Sequence, residues 1–294
     1  MKLTDYISSS RLERFLFAPV NPTYAGVFRI ALALMLTVAF WPRGRGLRFE
    51  GYSIPGLLYF YEHILFPYWF PILVLLLLFG VGLRPRLLGI FLVVLLLPLP
   101  FEFGLHVSRQ ILLFTLLFFS LLRSDARLSL RWGRQGPQPV TAGPMWPIRL
   151  IQVQLSVVYG VNALAKTTPE YISGQVLMGM SKMLPNFLVN LSDGYLHLGP
   201  LAIPVTILAI ASVMTEYALA IGFWFPRLRV ATAVLGVFFH IVTKFIIRIG
   251  MLDWSCMFLY LAFFIPFDRP LIRGLPELRG GHSEPKFIPA PPRT

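Results

Sequence analysis

The chain has 294 residues, of which 56% are hydrophobic and 13% charged, with a formal net charge of +13. So few charged side chains cannot cover a soluble domain of this length, and several apolar runs approach the roughly 20 residues that cross ~30 Å of hydrocarbon. Arginines flank those runs, so the positive charge reads as membrane topology and contact with anionic lipid, not as nucleic-acid binding.

The opening residues, MKLTDYISSSRLERFLFAPV, carry no cleavable apolar segment and read as a cytoplasmic or interfacial N-terminal stretch over 1–21. From 22 to 267 the pattern predicts an all-α, polytopic membrane helix bundle of about eight transmembrane helices. They fall near 22–41, 64–83, 86–104, 107–122, 146–165, 199–225, 230–249 and 251–267. Spans three and four are short or carry Pro98 and Pro100, which predicts tilted, broken or partly re-entrant helices. After span five, YISGQVLMGMSKMLPNFLV is apolar but interrupted by Gly, Ser, Lys and Pro, the pattern of an interfacial or re-entrant helix. The Pro/Gly-rich stretch 268–294 reads as a disordered cytoplasmic tail. The single cysteine, Cys256, excludes an intrachain disulfide, and no metal site is expected. Lysine and arginine are in excess on the side that holds both termini. The positive-inside rule therefore puts both termini in the cytoplasm, as for a bacterial inner-membrane protein, with Lys166 facing outward.

Polar residues inside such spans need a reason. Span five ends on Tyr159, Asn162 and Lys166, whose spacing of three and then four places them on one helical face. Lys166 is either an anchor at the water line or an amine desolvated enough to act as a base. Thr168, Pro169 and Glu170 then have the pattern of an N-cap, a first-turn proline and a first-turn acid, so a helix should start beside Lys166 with amides able to face an anionic oxygen. In span seven, His240, Lys244 and Arg248 recur every four residues. His240 lies too deep to reach water by snorkelling, which marks it as an interior site or a satisfied core histidine. Glu102, His106, Arg109 and Asp253 fall on the same outer side. Glu216 and Arg29 read as structural polar residues, Glu216 pairing with one of Arg29, Arg149, Arg227 or Arg229.

Four stretches, VFRIALALML, VVYGVNALAKTTPEYISG, TEYALAIGFWFPRLRVATAVLGVFFH and HIVTKFIIRIGMLDWSCMFLYLAFF, occur in an order that resembles a known family. It is the family of vitamin K-dependent γ-glutamyl carboxylases and the smaller bacterial HTTM membrane proteins that share their transmembrane domain. The resemblance covers nearly the whole chain. It implies that Lys166 is the base that deprotonates vitamin K hydroquinone or another lipid quinol. It also implies that His240 lines the quinol pocket; Lys244, Tyr159, Asn162, His106 and Arg109, placed by helical spacing or on the outer side, are the further pocket candidates. Membrane lipids, a lipid-soluble quinone and a separate protein supplying substrate recognition are the implied partners. Three departures stand out. The enzymes' second lysine is Ala165 here, and a histidine after their fourth span falls near Asp125, Ala126 and Arg127. Their glutamate-binding luminal domain has no counterpart in this sequence. The alternative reading is a non-catalytic membrane protein that binds a lipid or a partner protein.

Overall fold

A computed structural model of the chain describes residues 11–40, 69–97, 107–130, 141–183, 188–247 and 252–268. The described helices are α1 (Arg11–Phe17), α2 (Pro22–Phe40), α3 (Trp69–Gly80), α4 (Pro85–Leu96), α5 (Val107–Phe119), α6 (Trp146–Lys166), α7 (Pro169–Ile172), α8 (Gln175–Met183), α9 (Val205–Gly222), α10 (Arg229–Ile246) and α11 (Leu252–Phe264). Among them α2, α6, α9 and α10 are long and apolar enough to cross a membrane, and α3, α4, α5 and α11 are shorter apolar helices.

The apolar character continues on both faces of the long helices. On α2, Phe28, Leu32 and Leu36 are buried while Val27, Leu34 and Val38 are exposed. A helix of a soluble protein would carry polar residues on that second face; a lipid-facing helix has no need of them. Helix α6 is the hub, packing against α5, α9 and α11. The interior is filled by aromatic and aliphatic side chains, with Phe28 in ring contact with Phe119, Phe258 and Phe267.

At one end the chain is tied by backbone bonds from Val20 N–H to Gly143 and from Asn21 N–H to Phe267. Arg29, fully buried in α2, closes the same end. Its Nε donates to Gly80 O at 3.1 Å, and its two terminal nitrogens donate to the carbonyls of Ser124 and Leu128. Gly82 adopts φ +84°, and a Cβ there would press on the Arg29 guanidinium.

The opposite end carries a cap built from residues between α6 and α9. Thr168 caps α7 as its sequence pattern predicts, accepting a hydrogen bond from Tyr171 N–H at 3.2 Å. Beyond α8 the chain forms an antiparallel hairpin, β1 (Tyr195–Leu198) with β2 (Leu201–Pro204), in register Leu198↔Leu201. The Asp193 carboxyl leads into β1. His197, and then the Tyr195 N–H, hold that carboxyl below the usual carboxylate range. Tyr171, Leu177, Leu191 and Leu196 of the cap close over Val205, Ala209 and Val213 of α9.

The hairpin corrects one sequence expectation. Residues 199–204, read as the start of span six, lie in the turn and second strand, and the helix starts at Val205. The run is apolar throughout, so hydropathy alone cannot tell strand from helix there; Gly199, Pro200 and Pro204 break the helix locally. The expected interfacial or re-entrant helix is divided into α7 and α8 by Gly174. Pro98, Pro100, Glu102, His106, Arg248 and the tail beyond Asp268 lie outside the described residues.

Candidate functional site

Helices α6 and α9 run antiparallel in a register set by small and polar contacts. Trp224 Nε1 donates to Ser156 Oγ at 2.7 Å, the Thr167 and Tyr217 hydroxyls meet at 3.1 Å, and Gly160 faces Ala220 closely enough to bring the backbones together. This register brings Lys166, the last residue of α6, against Glu216. Lys166 Nζ and Glu216 Oε1 stand 2.7 Å apart, with side-chain exposures of 31% and 5%.

Glu216 therefore pairs with Lys166 and not with an arginine. Arg29 binds three backbone carbonyls, Arg149 binds Gln152 and Phe15 O, and Arg229 binds Phe223 O and Phe263 O. The late start of α9 is the reason: Glu216 lies eleven residues into that helix, about 16 Å from its cap end. Lys166 reaches the same depth because the cap, and not more of α6, covers the first turns of α9.

One further turn of geometry extends the site. Tyr159 lies two helical turns before Lys166 on the same face of α6 and is buried. Its hydroxyl is 2.7 Å from His240 Nε2 of α10 and 2.7 Å from the Tyr260 hydroxyl of α11. His240 Nδ1 stands 2.8 Å from Asp253 Oδ1, also on α11. Cys256 packs against Tyr159, and His240 lies within electrostatic reach of Glu216. Four ionisable or hydroxyl-bearing groups from three helices thus form a hydrogen-bonded interior chain beside an ion pair. The oxygens Glu216 Oε2 and Asp253 Oδ2 are buried and find no donor among the described residues.

Helix α10 reaches Tyr260 only because Gly236 has no side chain. A Cβ at Gly236 would run into the Tyr260 hydroxyl and stand 2.9 Å from Leu219 Cδ2. Gly236→Leu is expected to push α10 away, separate His240 from Tyr159 and lower the melting temperature of the purified protein by several degrees. A melting curve unchanged from wild type would show that the helices can give way there.

The remaining sequence candidates fall elsewhere. Lys244 lies over the Trp254 ring at 4.1 Å, so the His240–Lys244 ridge divides between an interior histidine and a lysine stacked near the cap end. Arg109 donates to Ala39 O at 3.3 Å and lies 5.6 Å from the Phe40 ring centre, at the end of α2. Asn162 is half-buried on the Lys166 side of α6. Helix α7 is a single turn with one of its first amides taken by Thr168, so it makes no anion site beside Lys166; the charge facing that amine is Glu216. Tyr171 adds its ring at 5.7 Å from Lys166 Nζ. Among the described residues, no group of three or more His, Cys, Asp or Glu is arranged to hold a metal ion.

Sequence reading missed Asp253 and Tyr260 as members of one site. The signal was present: Asp253, Cys256 and Tyr260 recur at three and then four residues, a polar stripe on an apolar helix. A groove of about 370 Å³ lies apart, between α5 and α6, lined by residues that include Phe114, Phe118, Val153 and Gln154. Neither Lys166 nor His240 lines it.

The HTTM domain family matches residues 17–268 of the chain. No curated protein and no solved structure matches it.

Proposed function

The chain belongs to the HTTM domain family and is a membrane protein, and from that premise we propose that it binds a lipid quinol at the cap end, beside Lys166 and His240. The supporting observation is the pair of buried carboxylate oxygens, Glu216 Oε2 and Asp253 Oδ2, that lack a donor among the described residues. A buried acceptor without a donor is costly, and a quinol supplies hydroxyl donors on an apolar ring able to enter from the bilayer. The ion pair tells how Lys166 would serve as a base. Its ammonium first passes a proton across 2.7 Å to Glu216, leaving a neutral amine to accept one from the quinol hydroxyl. Tyr159, His240 and Asp253 are the second proton-handling group of the site.

In this reading the reaction is quinol-dependent epoxidation or carboxylation-like chemistry, with vitamin K hydroquinone as one such quinol. A separate membrane or extracytoplasmic protein supplies recognition of the second substrate. The bundle crosses the membrane eight times, the shorter helices included, with both termini in the cytoplasm of a bacterial cell and the cap outside.

The second reading, a non-catalytic protein that holds a lipid, is favoured by the groove between α5 and α6. That groove is apolar, opens on the lipid-facing side and would take an acyl chain.

Quinol titration of purified wild type, Lys166→Ala and His240→Ala separates the two. The quinol site predicts binding weaker by about tenfold or more in each variant, the loss expected when a buried polar partner is removed. Equal affinity in all three overturns it, and displacement of the bound quinol by phospholipid in all three would assign the binding to the groove.

A further inference from the structure

The interior chain has a direction. An ionised carboxylate only accepts hydrogen bonds, so the contact of Asp253 Oδ1 with His240 Nδ1 at 2.8 Å requires the ring proton on Nδ1. The neutral ring then offers a bare Nε2, to which the Tyr159 hydroxyl donates across 2.7 Å. Tyr159 has only that proton, so at its second contact, also 2.7 Å, the Tyr260 hydroxyl must be the donor. One acid at the end of the chain sets a tautomer and the orientation of two hydroxyls.

We propose that Asp253 is a positioning residue that holds His240 as its Nδ1–H tautomer. This makes His240 Nε2 a proton acceptor separate from Lys166, with Tyr159 as the hydroxyl that relays protons to it. The transfer balances with a bound hydroxyl donor. The Tyr159 O–H bond breaks as Nε2–H forms, the imidazolium is neutralised by the Asp253 carboxylate, and the Tyr159 oxygen takes a proton from Tyr260, whose own proton is replaced by that donor, which leaves as its anion.

Every element packed around the histidine contributes to this. Helix α11 supplies Asp253, Cys256 and Tyr260, α6 supplies Tyr159, and α9 supplies Glu216, which lies within electrostatic reach of the ring. Lys244, the nearest cation along α10, is drawn to Trp254 instead. Asp253 is 2% exposed, so its charge is not spent on bulk water. Without it the ring could carry its proton on Nε2 and donate to Tyr159, reversing the chain. Removing the charge of the orienting acid in a Ser–His–Asp triad leaves its geometry intact and lowers turnover by about 10⁴, through the wrong tautomer.

The test is nitrogen NMR of the full chain in detergent, labelled with ¹⁵N-histidine, with the His240 signals assigned by their loss in His240→Gln. The expected wild-type spectrum shows a protonated Nδ1 and a bare Nε2. Asp253→Asn is expected to move the proton to Nε2. A wild-type ring protonated on Nε2, or on both nitrogens, overturns the proposal, and so does a folded Asp253→Asn with the wild-type signals. Should Asp253→Asn fail to fold, the wild-type spectrum alone decides. The measurement contains no quinol, so failure of quinol binding with the expected tautomer would remove the proposed ligand and leave the relay standing.

Discussion

Replacing Lys166 by alanine is expected to lower the melting temperature of the purified protein and to weaken quinol binding by about tenfold or more, whereas Lys166→Met combined with Glu216→Leu restores the melting temperature but not the binding. The asymmetry follows from the burial of the two partners. Glu216 is 5% exposed and Lys166 31%, so removing the lysine strands a carboxylate that water does not reach. Breaking a buried pair from one side costs about 3–5 kcal/mol, while replacing both members by apolar residues of similar size is close to neutral. The partly wet lysine puts the expected loss toward the lower end of that range. A double-mutant cycle read by thermal unfolding gives the coupling directly. Single variants as stable as wild type would show that the contact is incidental. Lys166→Arg separates base from anchor: arginine keeps the charge and the pairing but does not give up its proton, so stability should survive while chemistry is lost.

Arg29→Met is expected to be the most damaging change at the opposite end, without any direct effect on the site. Arg29 is fully buried and serves the carbonyls of Gly80, Ser124 and Leu128, which come from the end of α3 and the loop after α5. Each carbonyl left unmet in the interior costs about 1–3 kcal/mol. Asp125, whose charge faces the guanidinium, loses its counter-charge as well. Arg29→Lys should recover only part of the loss, because one ammonium lacks the planar fork that reaches several acceptors at once. Thermal unfolding, with hydrogen exchange over 124–130, reads both effects. Wild-type protection of that loop in Arg29→Met would show that the carbonyls find other donors.

Legibility differed by residue for physical reasons. The faces carrying Tyr159 with Lys166, and His240, could be read because helical spacing is periodic and polar groups in hydrocarbon stand out. The Thr168 cap could be read because it is a local bond over three residues. The partner of Glu216 could not be: choosing Lys166 over four arginines depends on where α9 starts, and the apolar hairpin over 195–204 hid that start. Asp253 was visible as an acid on the outer side, but its bond to His240 depends on how α10 turns toward α11, which Gly236 permits.

By itself, then, the sequence determined a helical membrane protein of the HTTM domain family, since hydropathy, charge asymmetry and ordered landmarks are properties of the chain read in one dimension. Only the tertiary structure decided which polar groups meet. Lys166 with Glu216, and Asp253 with His240, Tyr159 and Tyr260, join residues from four helices. Their distances of 2.7–2.8 Å depend on the register of α6 on α9 and the approach of α10 to α11. That register is set by small residues and side-chain shape across helix surfaces, which periodicity along one chain segment does not encode.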